Sequence, residues 1–384
     1  MLVTMKTIGI ITILKTNNYG AELQAYATQA ILNKLGYDAE IIDYLFYKNP
    51  QHKKTKNSKP VFNHGLKKRL SEFLYPIISK TKTGINNTHS DKRNKRFESF
   101  HTDNTAMSPT YTTIDELYNS NKEYDVYMVG SDQVWNPGIY SSLLPYMLTF
   151  APEGKKRVAY ASSFGISSIP QEFKWLYQKY LPKFSDIGVR EKNAVEMVKE
   201  LCGKDATWVL DPTLLLNKED WEKIASSTYK EKNNYILLYE LTPCPYILEL
   251  AKYFREKNGL KIIRICKNAA IEDKDTTIEN IIDAGPAEFL RLFANADIVI
   301  TNSFHGTAFS INFGKEFYTV TPARKHNNSR QQSILELFNL QERLIPENTP
   351  IENITTNKID NNAVIKRLNE EREKSIHFIT NAIG

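Results

Sequence analysis

The sequence lacks the features that mark secreted, membrane-spanning and metal-binding proteins. Its 384 residues include three cysteines, an odd number at spacings that suit neither a disulfide framework nor a structural zinc site, and its histidines show no metal-ligand spacing. No run of about 18 apolar residues could span a bilayer, and the start, Met1 to Met5, has no apolar stretch typical of signal peptides. We therefore expect a cytoplasmic protein with free, buried thiols and no metal ion.

Motifs of several enzyme and nucleic-acid-binding classes are also absent. The sequence contains no P-loop, no G-x-G-x-x-G fingerprint, no G-x-S-x-G nucleophile elbow and no H-E-x-x-H zinc motif. Nothing in it resembles a helix-turn-helix, an RNP sequence or a zinc finger. These absences argue against nicotinamide and flavin chemistry, and they predict that the protein has no cofactor and no nucleic-acid partner.

The composition that remains is that of a folded protein with more than one domain. Hydrophobic residues make up 41% and charged residues 24% of the chain, which is ordinary for a globular protein. Because 384 residues exceed what one hydrophobic core usually organises, we expect roughly two domains.

Positive charge is concentrated in one segment. The chain has a formal net charge of +6, whereas the segment from Lys48 to Arg96 holds fourteen Lys or Arg and two acids, a local excess of twelve positive charges. Apolar residues in this segment recur at spacings of three and four, which is typical of one helical face. These residues are Leu66, Leu70, Phe73, Leu74, Ile77 and Ile78. Such a basic amphipathic element could be a solvated helix over the core, or it could contact an anionic membrane surface.

Short apolar runs alternate with helical patterns along the chain. The first run, Thr7 to Ile13, is typical of a strand buried in a parallel sheet, and a helical pattern follows over Ala21 to Leu35. The alternation restarts at Tyr235 after a polar stretch. Repeated strand–helix–strand units predict an α/β protein with mainly parallel sheets.

The break in the pattern predicts the domain boundaries. The first domain spans residues 1–215 and contains the basic helical insertion near 48–100, and the second spans 232–350. A helical pattern within the last segment, 353–384, predicts a long helix that crosses back onto the first domain.

Four polar clusters follow predicted strands, where ligands bind in open α/β sheets. The clusters are Asn18–Gln24, Gly130–Pro137, Val189–Glu191 and Asn302–Thr307. Two domains that face one another can bring all four clusters to a single cleft.

The last of these clusters joins a predicted strand to a predicted helix that starts at Thr307. Unpaired amide groups at the start of a helix form an anion site. Gly306 would allow a ligand to approach closely, Ser303 or Thr307 could hydrogen-bond a phosphate, and His305 could exchange a proton near neutral pH. Alternatively, His305 is a structural hydrogen-bond donor in a turn.

Two other clusters offer further candidate groups. Arg190, at the end of a predicted strand, could grip a carboxylate or phosphate, or could pair with Glu191 or Asp211 inside the protein. Asp132 could serve as a general base or as a helix cap, and Trp135 could stack on a sugar ring.

Taken in order, the clusters resemble the polysaccharide pyruvyl transferase family. The resemblance extends from about residue 7 to residue 340 and rests on six short strings in the same order. The strings are Asn18–Tyr26, Gly130–Pro137, Tyr160–Gly165, Val189–Glu191, Asp211–Leu215 and Ser303–Thr307.

The resemblance implies two Rossmann-like domains in a GT-B-like arrangement with an interdomain cleft. It also implies transfer of a pyruvyl group from phosphoenolpyruvate, as co-substrate, to two hydroxyls of a sugar, which gives a ketal. His305 matches the histidine that acts as general acid in the family, and Asp132 is a candidate base. The first domain would bind the acceptor and the second the donor. The acceptor candidates are Asn18, Gly20, Gln24, Gln133 and Trp135.

The donor side departs from the family pattern at one position. Arg190 matches an arginine implied in donor binding, together with the loop residues Ser303, Gly306 and Thr307. Several relatives have an arginine two residues before the motif histidine, where this sequence has Ser303. The residues that could supply the missing cation are Arg324, Lys325 and Arg330.

Two other functions use the same architecture. A glycosyltransferase with a nucleotide-sugar donor could hold its diphosphate in the same anion loop, and a glycan- or phosphate-binding protein would have the fold without catalysis. If the acceptor is a lipid-diphosphate-linked sugar, the basic segment could hold the protein at the inner face of the plasma membrane.

Overall fold

The chain folds into two parallel β-sheets of six strands each. The computed structural model describes residues 5–49, 86–138, 143–229, 234–266, 275–323 and 328–384. Within these residues every strand pair is parallel, which requires a crossover connection between the paired strands. The predicted α/β class with two Rossmann-like units is therefore confirmed.

The first sheet is built from the N-terminal half of the chain. Its strands are β1 (Thr7–Ile11), β2 (Asp38–Ile41), β3 (Val126–Val129), β4 (Lys156–Ser162), β5 (Asp186–Val189) and β6 (Thr207–Trp208). Their order across the sheet is β2-β1-β3-β4-β5-β6. The helices in this half are α1 (Tyr19–Lys34), α2 (Asn86–Asn104), α3 (Ile114–Tyr118), α4 (Leu143–Tyr146), α5 (Gln171–Tyr180), α6 (Lys192–Cys202), α7 (Pro212–Leu215) and α8 (Lys218–Ile224).

The second sheet is built from the C-terminal half. Its strands are β7 (Tyr235–Tyr239), β8 (Lys261–Ile265), β9 (Ile278–Ile281), β10 (Ile298–Thr301), β11 (Glu316–Thr321) and β12 (Leu344–Pro346). Their order is β12-β11-β10-β7-β8-β9. The helices in this half are α9 (Pro245–Asn258), α10 (Pro286–Asn295), α11 (Phe304–Asn312), α12 (Ser329–Leu337) and α13 (Asn361–Ile383). Short 3₁₀ turns occur at Phe46–Lys48, Leu181–Lys183, Gln341–Arg343 and Ile351–Asn353.

Aromatic side chains join the two units around Tyr19. Its ring stacks on Phe289 of α10 at 4.7 Å, and the edge of Tyr239 approaches it at 5.8 Å. The Tyr19 hydroxyl donates to the carbonyl of Ala284 at 2.8 Å. One buried apolar cluster contains residues of both sheets, so the two units meet across a packed junction.

Helix α13 returns from the second sheet to the first. Its Phe378 ring lies 6.3 Å from that of Tyr160 in β4, and its Ser375 hydroxyl accepts a hydrogen bond from the Leu210 amide at 3.0 Å. This return of the last helix to the first unit, together with the packed junction, corresponds to the GT-B-like arrangement.

Helix α2, at the end of the basic segment, also bridges the two units. Arg93 is buried, with its guanidinium 5.2 Å from the Tyr19 ring centroid, and its Nη2 donates to the Asn17 carbonyl at 3.1 Å. Lys92 and Arg96 pair with Asp283 at 2.6 and 3.3 Å. Part of the positive charge of the basic segment thus makes hydrogen bonds and ion pairs within the protein. The predicted amphipathic pattern from residue 66 to residue 78 lies outside the described residues.

Candidate active site

The turn between β10 and α11 places His305 at the start of a buried helix. Ser303 caps this helix: its hydroxyl accepts a hydrogen bond from the Gly306 amide at 3.3 Å, and its own amide donates to Thr301 Oγ1 at 3.1 Å. The helix begins at Phe304, not at the predicted Thr307, so His305 lies in its first turn. The amides at such a helix start favour a bound anion.

His305 lies where the two units meet. Its Nε2 is 3.6 Å from Oδ2 of Asp211, a residue of the first unit, and has no hydrogen-bond partner among the described residues. At Nδ1 the ring packs against Gly20 of α1, since a Cβ added to Gly20 would lie 2.0 Å from that nitrogen. The first unit therefore contacts the imidazole at both nitrogens.

Asp211 follows β6 and is completely buried. Its Oδ1 accepts hydrogen bonds from the Thr213 amide and hydroxyl, and its Oδ2 accepts from Ser131 Oγ and Arg190 Nη1, both at 2.9 Å. Burial alone would raise the pKa of this carboxyl, but the positive charges of His305 and Arg190 hold its pKa well below its usual range. Asp211 is therefore ionised at neutral pH.

Arg190 directly follows β5 and lies near several carboxylates. Besides Asp211, its Nε contacts Glu191 Oε1 at 3.2 Å, and its Nη2 lies 3.8 Å from Asp132 Oδ1. Its guanidinium stacks over the Phe304 ring at 4.4 Å. Burial alone would lower the pKa of Arg190, but the three carboxylates raise it above its ordinary value. Nη2 is buried without a hydrogen-bond partner among the described residues.

Asp132 and Arg330 complete the group of charges. Asp132 has a left-handed backbone conformation, with φ of 69°, which is costly for a residue other than glycine and is often found at functional sites. Arg330, in the first turn of α12, is half-buried. Its burial and the charge of Arg190 lower its pKa. Direct contacts thus connect His305, Asp211, Arg190 and Asp132, and Arg330 is a further cation whose charge interacts with that of Arg190.

Comparison with known proteins identifies the family. A family model described as polysaccharide pyruvyl transferase matches residues 18–324, more than half of the chain. The chain belongs to this family. No curated protein sequence matches it.

Several solved structures are similar to this family member over nearly their whole length. A UDP-GlcNAc 2-epimerase from Methanocaldococcus jannaschii is 14% identical, with 98% of each chain covered and a TM-score of 0.48. A UDP-GlcNAc 2-epimerase from Neisseria meningitidis is 8% identical, with 97% of this chain and 94% of that chain covered and a TM-score of 0.48. The E. coli heptosyltransferase WaaC is 10% identical, with 95% and 99% covered and a TM-score of 0.40. The family assignment rests on the sequence model.

Two predicted acceptor residues are part of the protein interior in this family member. Trp135 is fully buried between Phe164 and Phe184, and its indole nitrogen donates to the Tyr146 carbonyl at 3.2 Å. Its ring therefore presents no face to a sugar, and the predicted stacking role is wrong. Gln24 is also fully buried, and its amide donates to oxygens of Thr12, Ile13 and Ala21.

The other acceptor candidates lie near the junction but make mainly local bonds. Asn18 caps α1, and its side chain accepts from the Gly20 amide at 3.0 Å. The carbonyl oxygen of the Gln133 side chain accepts from Asn136 at 2.8 Å. Gly20 contacts His305, as described above, so it is the acceptor candidate that lies directly at the imidazole.

The predictions for two donor-side residues, Thr307 and Gly306, need correction because both residues contact the protein interior. The Thr307 hydroxyl donates to the Ser303 carbonyl at 3.0 Å and lies 2.8 Å from the Thr319 hydroxyl, so it is not directed at a phosphate. A Cβ added to Gly306 would lie 2.3 Å from Thr301 Oγ1. Gly306 thus allows α11 to pack on β10, where we had expected the approach of a ligand.

The remaining sequence predictions fall outside what the structure describes or concern absences. Arg324 and Lys325 lie outside the described residues. Within the described ranges, no group of three or more His, Cys, Asp or Glu side chains could hold a metal ion, and no helix there has the length and apolar character needed to cross a membrane.

A cavity of about 620 Å³ lies away from the candidate site, between β6 and α13, and is lined by neither His305 nor Arg190.

Asp211 is the site residue that the sequence analysis treated only as a structural partner. Its signal in the sequence is the Asp-Pro pair that follows β6 and starts a short helix. Such an aspartate predicts a helix cap. Only the fold shows that its second oxygen faces an imidazole that comes from the other unit.

Proposed function

We propose that this family member transfers the enolpyruvyl-derived group of phosphoenolpyruvate to two hydroxyls of a sugar. One hydroxyl oxygen bonds to C2 while C3 receives a proton and becomes a methyl group. The C2–O bond to phosphate then breaks, and the second hydroxyl bonds to C2 to close the ketal ring. Of the two hydroxyl protons, one replaces the proton that the acid gives to C3, and the other leaves with inorganic phosphate.

The observation that carries this proposal is the position of His305. In a member of this family, a motif histidine at a helix start lies 3.6 Å from an ionised, fully buried carboxylate. A histidine placed in this way at the junction of the two units can act as the general acid that protonates C3. General acid catalysis by such a group contributes about 10²- to 10⁴-fold in rate.

Charges around His305 support binding of a donor with a phosphate and a carboxylate. The N-terminus of α11 and the cation of Arg330 would contact the donor, and Asp132 would accept the proton of the attacking hydroxyl. Arg324 and Lys325 follow β11, whose carboxyl end lies beside that of β10. Replacing both by alanine should raise the donor KM about tenfold or more, since hydrogen bonds to charged groups contribute about 1.5–3 kcal/mol.

The direct test is phosphate release from phosphoenolpyruvate with a panel of galactose-, mannose- and glucosamine-type acceptors. The proposal expects release that depends on both substrates, and loss of about 10²-fold or more in His305→Ala. Phosphoenolpyruvate should also raise the melting temperature. If UDP- or CMP-sugars stabilise the protein and phosphoenolpyruvate does not, the chain is a glycosyltransferase and the proposal is wrong.

The acceptor class is a separate part of the proposal. We propose a lipid-diphosphate-linked sugar, with the basic segment held against anionic lipids. The bonds of Arg93 and Arg96 inside the fold make those two residues poor test sites, so the charge reversal should be made at Lys67, Lys68, Arg69 and Lys80. The variant should lose binding to anionic liposomes and keep turnover on a soluble acceptor. Unchanged liposome binding would contradict the membrane role.

A further inference from the structure

We propose that Asp211 is the positioning residue of His305, and that it fixes Nδ1 as the nitrogen that gives the proton to the donor. This inference rests on the proposed function, because it assigns the atom through which the acid acts. In this arrangement the carboxylate lies beside Nε2, at 3.6 Å, and favours a proton on that nitrogen, so the opposite nitrogen is left for chemistry.

The carboxylate of Asp211 cannot rotate freely. Its Oδ1 is held by the amide and hydroxyl of Thr213, at 3.0 and 2.6 Å, and its Oδ2 is held by Ser131 Oγ and Arg190 Nη1. These donors come from three different elements of the first unit. The position of Oδ2, the oxygen that faces His305, is thus fixed by these bonds and does not depend on a bond to the imidazole.

The helix that carries His305 is held by the same segment that carries Asp211. At the far end of α11, Asn312 Nδ2 donates to the carbonyls of Thr213 and Leu216 at 2.8 and 2.9 Å. Arg372 of α13 donates to Asn312 Oδ1 at 2.9 Å and to the Leu214 carbonyl at 2.7 Å. Because the far end of α11 is held against residues 213–216, the fold limits how far His305 can move relative to Asp211.

Charge determines which proton leaves. The charged groups around this pair are Arg190, Glu191, Asp132 and Arg330. Arg190 keeps Asp211 ionised, and the ionised carboxylate stabilises a proton on Nε2 of His305. When the imidazolium protonates C3 from Nδ1, the N–H bond electrons remain on the ring, and the neutral product keeps Nε2–H directed at Asp211. Transfer from Nε2 would instead leave a lone pair facing a carboxylate.

The surroundings of Nδ1 suit this assignment. A Cβ at Gly20 would lie 2.0 Å from Nδ1, 2.5 Å from Cγ and 2.6 Å from Cε1. Because the added atom would lie almost as close to Cγ and Cε1 as to Nδ1, Gly20 packs over the face of the ring and does not occupy the in-plane direction in which Nδ1 would give a proton. Nε2, by contrast, is buried against Asp211. Of the two nitrogens, Nδ1 is therefore the one left to give the proton.

The test is a nitrogen NMR measurement on protein labelled with ¹⁵N-histidine, with His305→Gln used to assign the His305 signals among the seven histidines. In the wild-type protein at high pH, the neutral ring of His305 should carry its proton on Nε2. This readout needs no substrate and no variant at Asp211. A neutral ring with its proton on Nδ1 would overturn the inference.

Two variants separate charge from packing. In Asp211→Asn, the neutral ring of His305 should no longer hold its proton on Nε2 alone, and the form with the proton on Nδ1 should appear in the ¹⁵N spectrum, because the negative charge that favours Nε2–H is gone. Ser131→Ala removes a hydrogen bond to Asp211 and keeps its charge, so the Nε2–H form should persist. A ring that stays entirely in the Nε2–H form in folded Asp211→Asn would overturn the inference.

Turnover distinguishes this inference from the proposed function. Asp211→Asn should lower kcat and should not raise the donor KM, because it removes a negative charge. A purely structural role would reduce kcat without changing which nitrogen of the neutral His305 ring holds the proton. If the wild-type protein releases no phosphate but the ring state follows Asp211 as expected, the proposed function fails and the positioning role stands.

Discussion

Replacing Gly20 by alanine tests the contact between the two units at the imidazole. The added methyl group would lie 2.0 Å from Nδ1 of His305, whereas ordinary contacts begin at 3.4 Å. The ring or the helix must therefore move by about 1.4 Å. A misplacement of about 1 Å at a catalytic group can cost roughly 10²-fold in rate, so kcat on phosphoenolpyruvate and an acceptor should fall by about that factor.

The effect on stability should be much smaller than the effect on turnover. Alanine is favoured over glycine inside a helix by about 1 kcal/mol, and overpacking in a well-packed interior costs typically about 1–3 kcal/mol. The free energy of unfolding of Gly20→Ala should therefore change by about 2 kcal/mol or less, which chemical denaturation can measure. A folded protein with a large loss of kcat is the expected combination.

The matched control is Gly138→Ala, which adds the same methyl group at a place where it meets only the end of the Asn136 side chain, at 3.0 Å. This variant should keep its turnover. If Gly20→Ala turns over within about twofold of the wild-type rate, the imidazole does not need its close contact with Gly20, and the assignment of Nδ1 loses its geometric support.

Three further predictions concern residues whose contacts stabilise the fold. Trp135→Phe leaves the Tyr146 carbonyl without its donor and should cost about 1–3 kcal/mol of stability with an unchanged acceptor KM; a raised acceptor KM at full stability would restore the stacking role. Gly285→Ala places a methyl group 2.5 Å from Cβ of Arg96 and should lower the melting temperature, whereas an unchanged value would show that α2 is free to shift. Burial alone would raise the pKa of Asp283, but Lys92 and Arg96 lower it. The ionised Asp283 therefore stabilises the fold at pH values above the ordinary carboxyl pKa, and this contribution is lost as the pH falls and the carboxylate is protonated. Asp283→Asn should therefore lose less stability than wild type between neutral pH and about pH 3, as followed by denaturation, and an equal loss would contradict this.

The alternation of strands and helices made the fold predictable. Where the sequence pattern and the structure differ, the difference has a physical reason. The sequence pattern indicated the buried strands because they consist of consecutive apolar residues, such as Val126–Val129. Strand β9 was missed because Glu279 and Asn280 interrupt its apolar residues at the edge of the sheet. The start of α11 was misplaced because Ser303 is followed three residues later by Gly306, so no capping box marked the start.

The candidate site was predictable in its members but not in their pairing. Arg190, Asp211 and His305 stood in separate strings of the sequence, and the ends of parallel strands were the right place to look. The ion-pair partners of Arg190 depend on how β5 packs against β6. The direction of the Trp135 side chain depends on the packing of the core around it. Neither is encoded in a local pattern of residue types.

The charge balance at the site changes what the arginine can do for a donor. Among the described residues, Arg190 lies near three carboxylates, Asp132, Glu191 and Asp211, and the further arginine at this site is Arg330. Arg190 uses Nη1 and Nε on carboxylates, so one nitrogen of its fork remains for a ligand and bidentate binding is blocked. A donor with both a phosphate and a carboxylate needs more positive charge than this. With Ser303 in place of the arginine of several relatives, the proposed donor site would take that charge from Arg324, Lys325 and Arg330. Arg190, whose charge together with that of His305 keeps Asp211 ionised, would then act mainly on that carboxylate.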